Sequence, residues 1–207
     1  HGQSTYDLLG SARTSGLGYA ATALTTGTGV QANPAAGALH RRRAVSFFAR
    51  ESFGLSALRY GAVYGTWPTA WGVAAGGAST FGGDGYRELH YSLGYARGIQ
   101  IGTTRRVYLG VLGRYYHTQI DGYGSSGAAG IHLGILVALL PTLHFGAHAT
   151  NVNGPSLVEG EALPQTLAIG LQYQATSQLL VVTDIRKDLD FPASVRAGLE
   201  VQPLSQL

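Results

Sequence analysis

The strongest constraint on the fold is an alternation of apolar with small or polar residues, repeated in segments of about ten residues between Ala44 and Gln202. A β-strand points successive side chains to opposite faces, so each segment has one apolar face and one polar or tightly packed face. About ten such segments separated by turn residues are typical of a transmembrane β-barrel. We therefore predict an all-β protein, an antiparallel up-and-down barrel. The clearest segment places apolar residues at the odd positions of 131–139: Ile131, Leu133, Ile135, Val137 and Leu139.

Composition supports the same class. Only 12% of the residues are charged, whereas a soluble domain carries about 25%. A wall that faces lipid needs little charge, because acyl chains rather than water solvate its outer face. The 31 glycines suit a crowded barrel interior, and the 12 tyrosines suit a membrane interface. The expected location is a bacterial outer membrane, and the expected surroundings are outer-membrane lipid. Because the chain starts at His1 without an apolar leader, we expect a secretory signal to have been removed.

Other classes are disfavoured. The longest weakly polar stretch, Ala128–Leu140, contains His132 and stops at Pro141, whereas a spanning helix needs about 20 apolar residues. The chain has no cysteine, which excludes thiol chemistry. The basic run Arg41–Arg43 suits an anchor at the entrance to the first strand; the alternative is contact with acidic lipid head groups. No basic surface interleaved with aromatic residues follows it, so nucleic acid is not an expected partner.

The chain divides into two parts. Residues 1–43 lack the alternation, and we predict that they form an N-terminal plug or hatch segment with a short helix around 17–24. Residues 44–207 form the barrel wall, with ten strands over 43–52, 55–66, 69–80, 87–100, 105–119, 128–140, 142–152, 163–175, 178–187 and 194–203. Pro203–Leu207 has the composition of a turn. We therefore expect the wall to be incomplete, with C-terminal strands missing and a gap between the first and tenth strands.

The predicted connections alternate in length. Short ones, such as Trp67-Pro68, alternate with longer ones, such as Gly82–Tyr86, Gln119–Gly127 and Asn153–Leu163. Outer-membrane barrels have short periplasmic turns and longer extracellular loops. Apolar loop tips make good anchors for partners, so we expect Tyr123 and Leu157 to contact partner proteins. Four aromatic residues near the first short turn are predicted to lie at the membrane interface: Tyr60, Tyr64, Trp67 and Trp71.

Two stretches resemble a known family. The first is SARTSGLGYAATAL over Ser11–Leu24, followed by Asn33-Pro34-Ala35; it is similar to the opening of PorV/PorQ-type proteins, within the wider FadL-like group of outer-membrane barrels. The second is LPQTLAIGLQY over Leu163–Tyr173, followed by Asp184 and then SVRAGLE over Ser194–Glu200; it resembles the late strands of the same barrels. This sequence departs from the family pattern in two ways. The family carries acidic residues shortly before Asn-Pro, whereas Thr25 and Thr26 stand in that region here. The family barrel also has roughly fourteen strands, an even count, whereas ten are predicted here.

The resemblance implies three functions, which the sequence leaves open. The first is an accessory barrel of type IX secretion or of a cell-surface attachment assembly, acting through protein partners in the membrane. The second is a FadL-like passive route for hydrophobic small molecules, in which the N-terminal segment acts as a hatch. The third is a structural wall subunit of a larger outer-membrane complex.

Sites of chemistry are weak in this sequence. Gly16-x-Gly18-x-x-Ala21 imitates a dinucleotide fingerprint but lacks the preceding strand that the motif requires, so Gly16 and Gly18 are assigned to close packing of the plug. His132, His144 and His148 share a predicted interior face, where polar lining is a better interpretation than a metal site. No nucleophile elbow is present. We expect no enzyme activity, no cofactor and no metal.

The sequence Asn33-Pro34 is the most informative local motif. Proline fixes its own φ and restricts the residue before it, and an asparagine amide inside a barrel can bond several backbone groups at once. Two interpretations stand side by side: a turn that enters the first strand, or a latch that holds the N-terminal segment in the interior.

Overall fold

The computed structural model describes residues 11–25, 29–102, 105–158 and 161–202. Ten strands form one antiparallel sheet in which neighbours along the chain are neighbours in space. The predicted all-β, up-and-down arrangement of ten strands is confirmed. The sheet strands are β1 (Ala44–Glu51), β2 (Arg59–Pro68), β3 (Val73–Gly82), β4 (Tyr86–Ile101), β5 (Arg105–Ile120), β6 (Gly124–Leu140), β7 (Leu143–Thr150), β10 (Thr166–Gln174), β11 (Leu179–Asp188) and β12 (Ser194–Val201).

Between β7 and β10 the chain forms a separate two-stranded sheet of β8 (Ser156–Val158) and β9 (Glu161–Ala162). Some residues for which the sequence gave a prediction lie outside the described residues. They are the first ten residues of the N-terminal segment, the turn residues Thr103 and Thr104, and Pro203–Leu207.

Burial follows the period-two pattern of the sequence. In β10, Thr166, Ala168, Gly170 and Gln172 are buried, whereas the odd-numbered residues between them are exposed. The same parity holds in β2, β4, β5, β6 and β11, and β3 has the opposite parity because the turn before it shifts the register. We call the buried side the inner face and the other side the outer face.

The N-terminal segment, described over residues 11–25 and 29–40, covers the inner face. It contains α1 (Ala12–Gly16) and two 3-10 helices, Gly29–Gln31 and Pro34–Leu39. The last of these packs against β3, β4, β5 and β6. The helix expected around 17–24 is not formed, because Gly18 and Tyr19 adopt φ values of 60° and 61°, which end a right-handed helix.

The sheet is open in the described part of the chain. Its order runs from β1 to β12, and these two edge strands do not pair with each other. The expected gap between the first and tenth predicted strands therefore lies between β1 and β12.

The links between strands form two rims of different charge. The basic rim holds the entrance to β1 and the links β2–β3, β4–β5, β6–β7 and β10–β11; its arginines are Arg41, Arg42, Arg43, Arg105 and Arg106. The acidic rim holds the other links, with Asp84, Asp121 and Asp190.

Two predicted long loops on the acidic rim are short turns. The β3–β4 link contains only Gly83–Gly85, and the β5–β6 link contains only Asp121–Tyr123. The sequence prediction ended the strands early because residues 124–130 are small and polar. In the structure these residues continue the ladder with β5, where Gln119 pairs with Ser125 and Tyr115 with Ala129.

Candidate functional site

The candidate site is the contact between the N-terminal segment and the inner face of the sheet. At two neighbouring positions the segment lies directly on the strand backbone. Gly110 of β5 pairs with Gly134 of β6. A methyl group at Gly110 would overlap the backbone of Pro34, and one at Gly134 would overlap the amide of Asn33. The absence of side chains at these two glycines therefore allows the segment to pack directly against the strand backbone.

Asn33 joins the segment to two strands. Its side-chain nitrogen donates to the carbonyl oxygens of Thr22 at 2.7 Å and of Ile135 in β6 at 3.0 Å, and approaches that of Ala147 in β7 at 3.4 Å. Its side-chain oxygen accepts from the amide of Ala35 at 3.0 Å. This side chain is fully buried, and it caps the 3-10 helix that Pro34 begins.

Asp184 of β11 fixes the segment at a second point. One carboxylate oxygen accepts from the backbone amides of Ala21 at 2.9 Å and Thr22 at 3.0 Å, and from the Thr22 hydroxyl at 2.7 Å. The site is buried, so these three bonds to one carboxylate oxygen are shielded from water. Asp184 therefore binds the backbone of the segment rather than a single side chain of it.

Three further polar pairs link the segment to three different strands. Arg114 of β5 donates to the side-chain oxygen of Gln31 at 2.6 Å. Gln172 of β10 accepts from the Thr25 amide at 3.0 Å and donates to its hydroxyl at 2.9 Å. Glu200 of β12 pairs with Arg13 at 2.6 Å. The segment is thus bonded to both early and late strands.

Tyr19 contacts both edges of the open sheet. Its hydroxyl accepts a hydrogen bond from Arg50 of β1 at 2.8 Å. The guanidinium of Arg196 in β12 lies 5.9 Å from the centre of its ring, within cation–π range. The segment therefore spans the gap between β1 and β12 from inside.

A polar cavity of about 80 Å³ remains between segment and sheet. Its lining includes His90, Arg114, His132, His148, Asp184 and Arg196. The rings of His132 and His148 stack at 6.0 Å, and Tyr116 donates to Asn151 at 3.0 Å. Among the described residues no group of three or more His, Cys, Asp or Glu side chains has metal-binding geometry. His144, which the sequence groups with His132 and His148 on the inner face, does not line this cavity.

The predicted plug residues lie in the segment at different distances from the sheet. Gly16 ends α1 and has open space where a side chain would be, whereas Gly18 approaches the carbonyl of Ala197 in β12 and has positive φ. Asn33 and Pro34 are both buried. The contacts of Asp184, Arg114 and Gln172 are not apparent from the sequence, in which Asp184 stands out only through the family resemblance.

The four predicted interface aromatics divide by face. Trp67 and Trp71 are exposed, Trp71 by 76%. Tyr60 and Tyr64 are buried on the inner face, with their hydroxyl oxygens 3.3 Å apart. Contrary to the sequence prediction, these two cannot join an outward-facing belt, because they share the even parity of β2. Tyr95, which the sequence prediction missed, is exposed in the same cross-strand row as Trp67.

The two predicted contact residues also differ. Tyr123 is 90% exposed at the tip of the β5–β6 turn. Leu157 lies in β8 and packs against the cluster of Tyr116, Ala128 and Leu163. Leu157 is therefore part of the packing of the β7–β10 link rather than a free loop tip, because its strand folds back over β6.

The outer face carries few charges, and all of them lie toward the rims. They are Glu51, Arg59, Arg87 and Lys187 toward the acidic rim, and Arg97 and Arg105 toward the basic rim. The inner face carries the larger charged set: Arg50, Glu88, Arg106, Arg114, Asp184, Arg186, Asp188, Arg196 and Glu200. Charge is thus concentrated on the side that the segment covers.

No protein-family model, curated protein or solved structure matches the chain. Within the described residues, no helix has the length and apolar character needed to span a membrane.

Proposed function

We propose that this chain forms the wall of an outer-membrane β-barrel of PorV/PorQ type, with the N-terminal segment as its plug. We propose further that it acts through protein contacts, as an accessory component of a secretion or cell-surface attachment assembly. No catalytic, metal or cofactor chemistry is part of this proposal.

The observation that carries the membrane location is the placement of charge. A sheet in water buries apolar side chains and exposes charged ones. Here Leu133, Ile135, Ile169 and Leu171 are exposed on the middle of the outer face, and the charged residues of the strands lie inside or near the rims. This is the distribution that a lipid-facing wall requires.

The height of the apolar zone supports the same location. On β4, Arg87 and Arg97 bound an outer face of Leu89, Tyr91, Leu93 and Tyr95. Ten residues of strand span about 34 Å. A strand tilted by about 40° then covers roughly 26 Å of membrane, close to the apolar band of about 25 Å in outer-membrane barrels.

The filled inner face favours a role in protein contact. The segment is bonded to β5, β6, β10, β11 and β12, and the space left beside it is divided into cavities of about 80, 160 and 200 Å³. A steady aqueous channel would need one continuous interior space, so the function is assigned to the exposed surfaces.

The acidic rim offers such a surface. Phe53 at the β1–β2 link is 92% exposed, Tyr123 is 90% exposed, and Leu189 and Phe191 of the β11–β12 link are exposed as well. Aromatic and aliphatic side chains at loop tips are effective anchors for partner proteins. We assign partner binding to this rim.

A pull-down in mild detergent followed by mass spectrometry tests the proposal. The native chain is expected to recover secretion components or a large envelope assembly. The combined variant Phe53→Ser/Tyr123→Ser/Phe191→Ser should lose these partners, whereas Trp71→Ser, an exposed aromatic on the opposite rim, should keep them. Recovery of the barrel alone would contradict the accessory role. Recovery that persists in the triple variant would instead favour a structural subunit held by other surfaces.

A second cavity favours the transport alternative. A space of about 160 Å³ lies between the segment and β1–β3, lined mainly by Val30, Ala44, Tyr64, Ala75 and Gly76. Apolar cavities of about 150 Å³ bind benzene-sized molecules. If the purified native protein releases a bound hydrocarbon and Ala75→Phe does not, a FadL-like route for hydrophobic molecules is supported in place of the accessory role.

A further inference from the structure

Two of the three outward cations near the acidic rim are bonded to groups of the protein itself. Arg59 is paired with Glu51 at 2.7 Å, and the Lys187 ammonium donates to the carbonyl oxygens of Asp188 and Phe191, both at 2.6 Å; the third, Arg87, is exposed. On the basic rim, Arg43, Arg97 and Arg105 are all exposed. The described part of this rim has no acidic side chain on its outer surface; its one carboxylate, Glu200, faces inward and binds Arg13.

The strand register brings two of these arginines to one patch with aromatic side chains. Trp67 of β2 pairs with Ala74 of β3, which pairs with Tyr95 of β4. Arg43 directly precedes β1 at the height of Trp67, because Ala44 pairs with Thr66. Arg97 follows Tyr95 on the same face of β4, roughly 7 Å further toward the rim. We give the name Arg43–Arg97 patch to five exposed residues: Arg43, Trp67, Trp71, Tyr95 and Arg97.

The patch is built on a fixed turn. The hydroxyl of Tyr95 donates to the backbone oxygen of Trp71 at 2.6 Å, and Thr69 closes the turn with bonds of 2.7 and 2.8 Å to the oxygen of Gly72. Gly72 is required because its φ is 158° and because the Tyr95 hydroxyl lies where a side chain would stand. The backbone of Trp71 is therefore fixed against β4, and its indole is exposed beside the patch.

We propose that the Arg43–Arg97 patch binds the phosphate head group of an anionic phospholipid. The inference rests on the proposed membrane location. Guanidinium groups bind phosphate through paired hydrogen bonds, and Trp and Tyr side chains favour the head-group level of a bilayer. Leu93 and Val111 lie beside the patch on the membrane side, where they contact the acyl chains. A free phosphate would gain nothing from this apolar flank.

Native mass spectrometry after nanodisc reconstitution tests the assignment. The protein is placed in phosphatidylcholine alone or in a mixture with phosphatidylglycerol, and the lipids that remain bound are counted. We expect phosphatidylglycerol to be enriched on the native protein. Because each arginine near an anionic surface contributes about fivefold in binding, Arg43→Gln and Arg97→Gln should each reduce the enrichment by about that factor. Arg97→Lys should retain only part of it, because the charge stays but the paired hydrogen bonds are lost, and added inorganic phosphate should not displace the lipid.

Arg59→Gln on the acidic rim is the matched control and should leave the enrichment unchanged. Equal retention of the two lipids would overturn the inference but not the membrane location. The same conclusion would follow if Arg59→Gln reduced the phosphatidylglycerol enrichment as much as Arg43→Gln and Arg97→Gln do. Displacement by inorganic phosphate would assign the patch to a free anion and overturn the lipid assignment. A protein that enters neither nanodisc would overturn the membrane location and this inference with it.

Discussion

Thr22 donates both its backbone amide and its hydroxyl to the same carboxylate oxygen of Asp184, at 3.0 and 2.7 Å. The Ala21 amide donates to that oxygen as well. A single β11 side chain thus holds a turn of the N-terminal segment by its backbone, so the contact depends on the fold of that turn.

Replacement of Asp184 by Ala should release this turn. The change leaves two buried amides and one hydroxyl without an acceptor, at a cost of roughly 2–5 kcal/mol. We expect faster proteolytic cleavage within residues 17–24 while the strands stay protected, measured by limited proteolysis in detergent. Asp84→Ala, which removes an exposed carboxylate in the β3–β4 turn, is the control. Equal cleavage rates in the two variants would contradict the role of Asp184.

Asn33→Asp should destabilise the protein more than Asn33→Ala does. Both variants lose the bonds to Thr22 and Ile135, worth about 1 kcal/mol each. The aspartate also directs a buried carboxylate at these carbonyl oxygens, which adds the cost of an uncompensated charge. Thermal unfolding followed by circular dichroism in detergent gives the order. A melting temperature that is higher for Asp than for Ala would show that the amide is not turned toward the carbonyls.

Gly134→Ala should displace the N-terminal segment. The added methyl overlaps the Asn33 side chain and stands against the Ala35 amide, and overpacking of a filled site typically costs about 1–3 kcal/mol. The matched variant is Gly113→Ala on the outer face of the neighbouring strand, where the nearest atom is 3.8 Å away. Hydrogen exchange of residues 33–37 should rise in Gly134→Ala alone. A similar rise in both variants would indicate a general loss of strand stability instead.

Leu133→Arg should impair membrane insertion. Leu133 lies on the outer face of β6, away from both rims, and an arginine near the bilayer midplane costs roughly 2–4 kcal/mol in a β-barrel. Tyr123→Arg, at the tip of a turn on the acidic rim, should insert normally. The folded fraction after refolding into vesicles measures both. Equal folding of the two variants, or native protein that stays monomeric in buffer without detergent, would contradict a lipid-facing wall.

The strands could be predicted because their signal is local. The alternation in 131–139 and 167–173 is complete within each segment, and the structure buries and exposes those residues accordingly. The alternation in β2 also indicates the correct, inner face for Tyr60 and Tyr64. Their prediction as interface residues is wrong because they occupy even positions of β2, which they share with the buried Ala62 and Thr66.

The contact surface between the N-terminal segment and the inner face could not be predicted in the same way. A glycine on an inner face indicates close approach but does not name the approaching group, and Gly134 gives no local sign of Asn33, which precedes it by about a hundred residues. The extension of β6 to Gly124 was missed for a related reason. Its small residues have weak strand propensity, and the ladder with β5 supplies the stability that they lack.

The bonds of the segment connect the start of the chain to its late strands. Thr25 meets Gln172 across 147 residues, Thr22 meets Asp184 across 162, and Arg13 meets Glu200 across 187. Contacts over such separations form only after the intervening chain has been organised. The segment precedes all the strands in the sequence but is therefore among the last parts to reach its final position, because its docking requires β10, β11 and β12 to be in place.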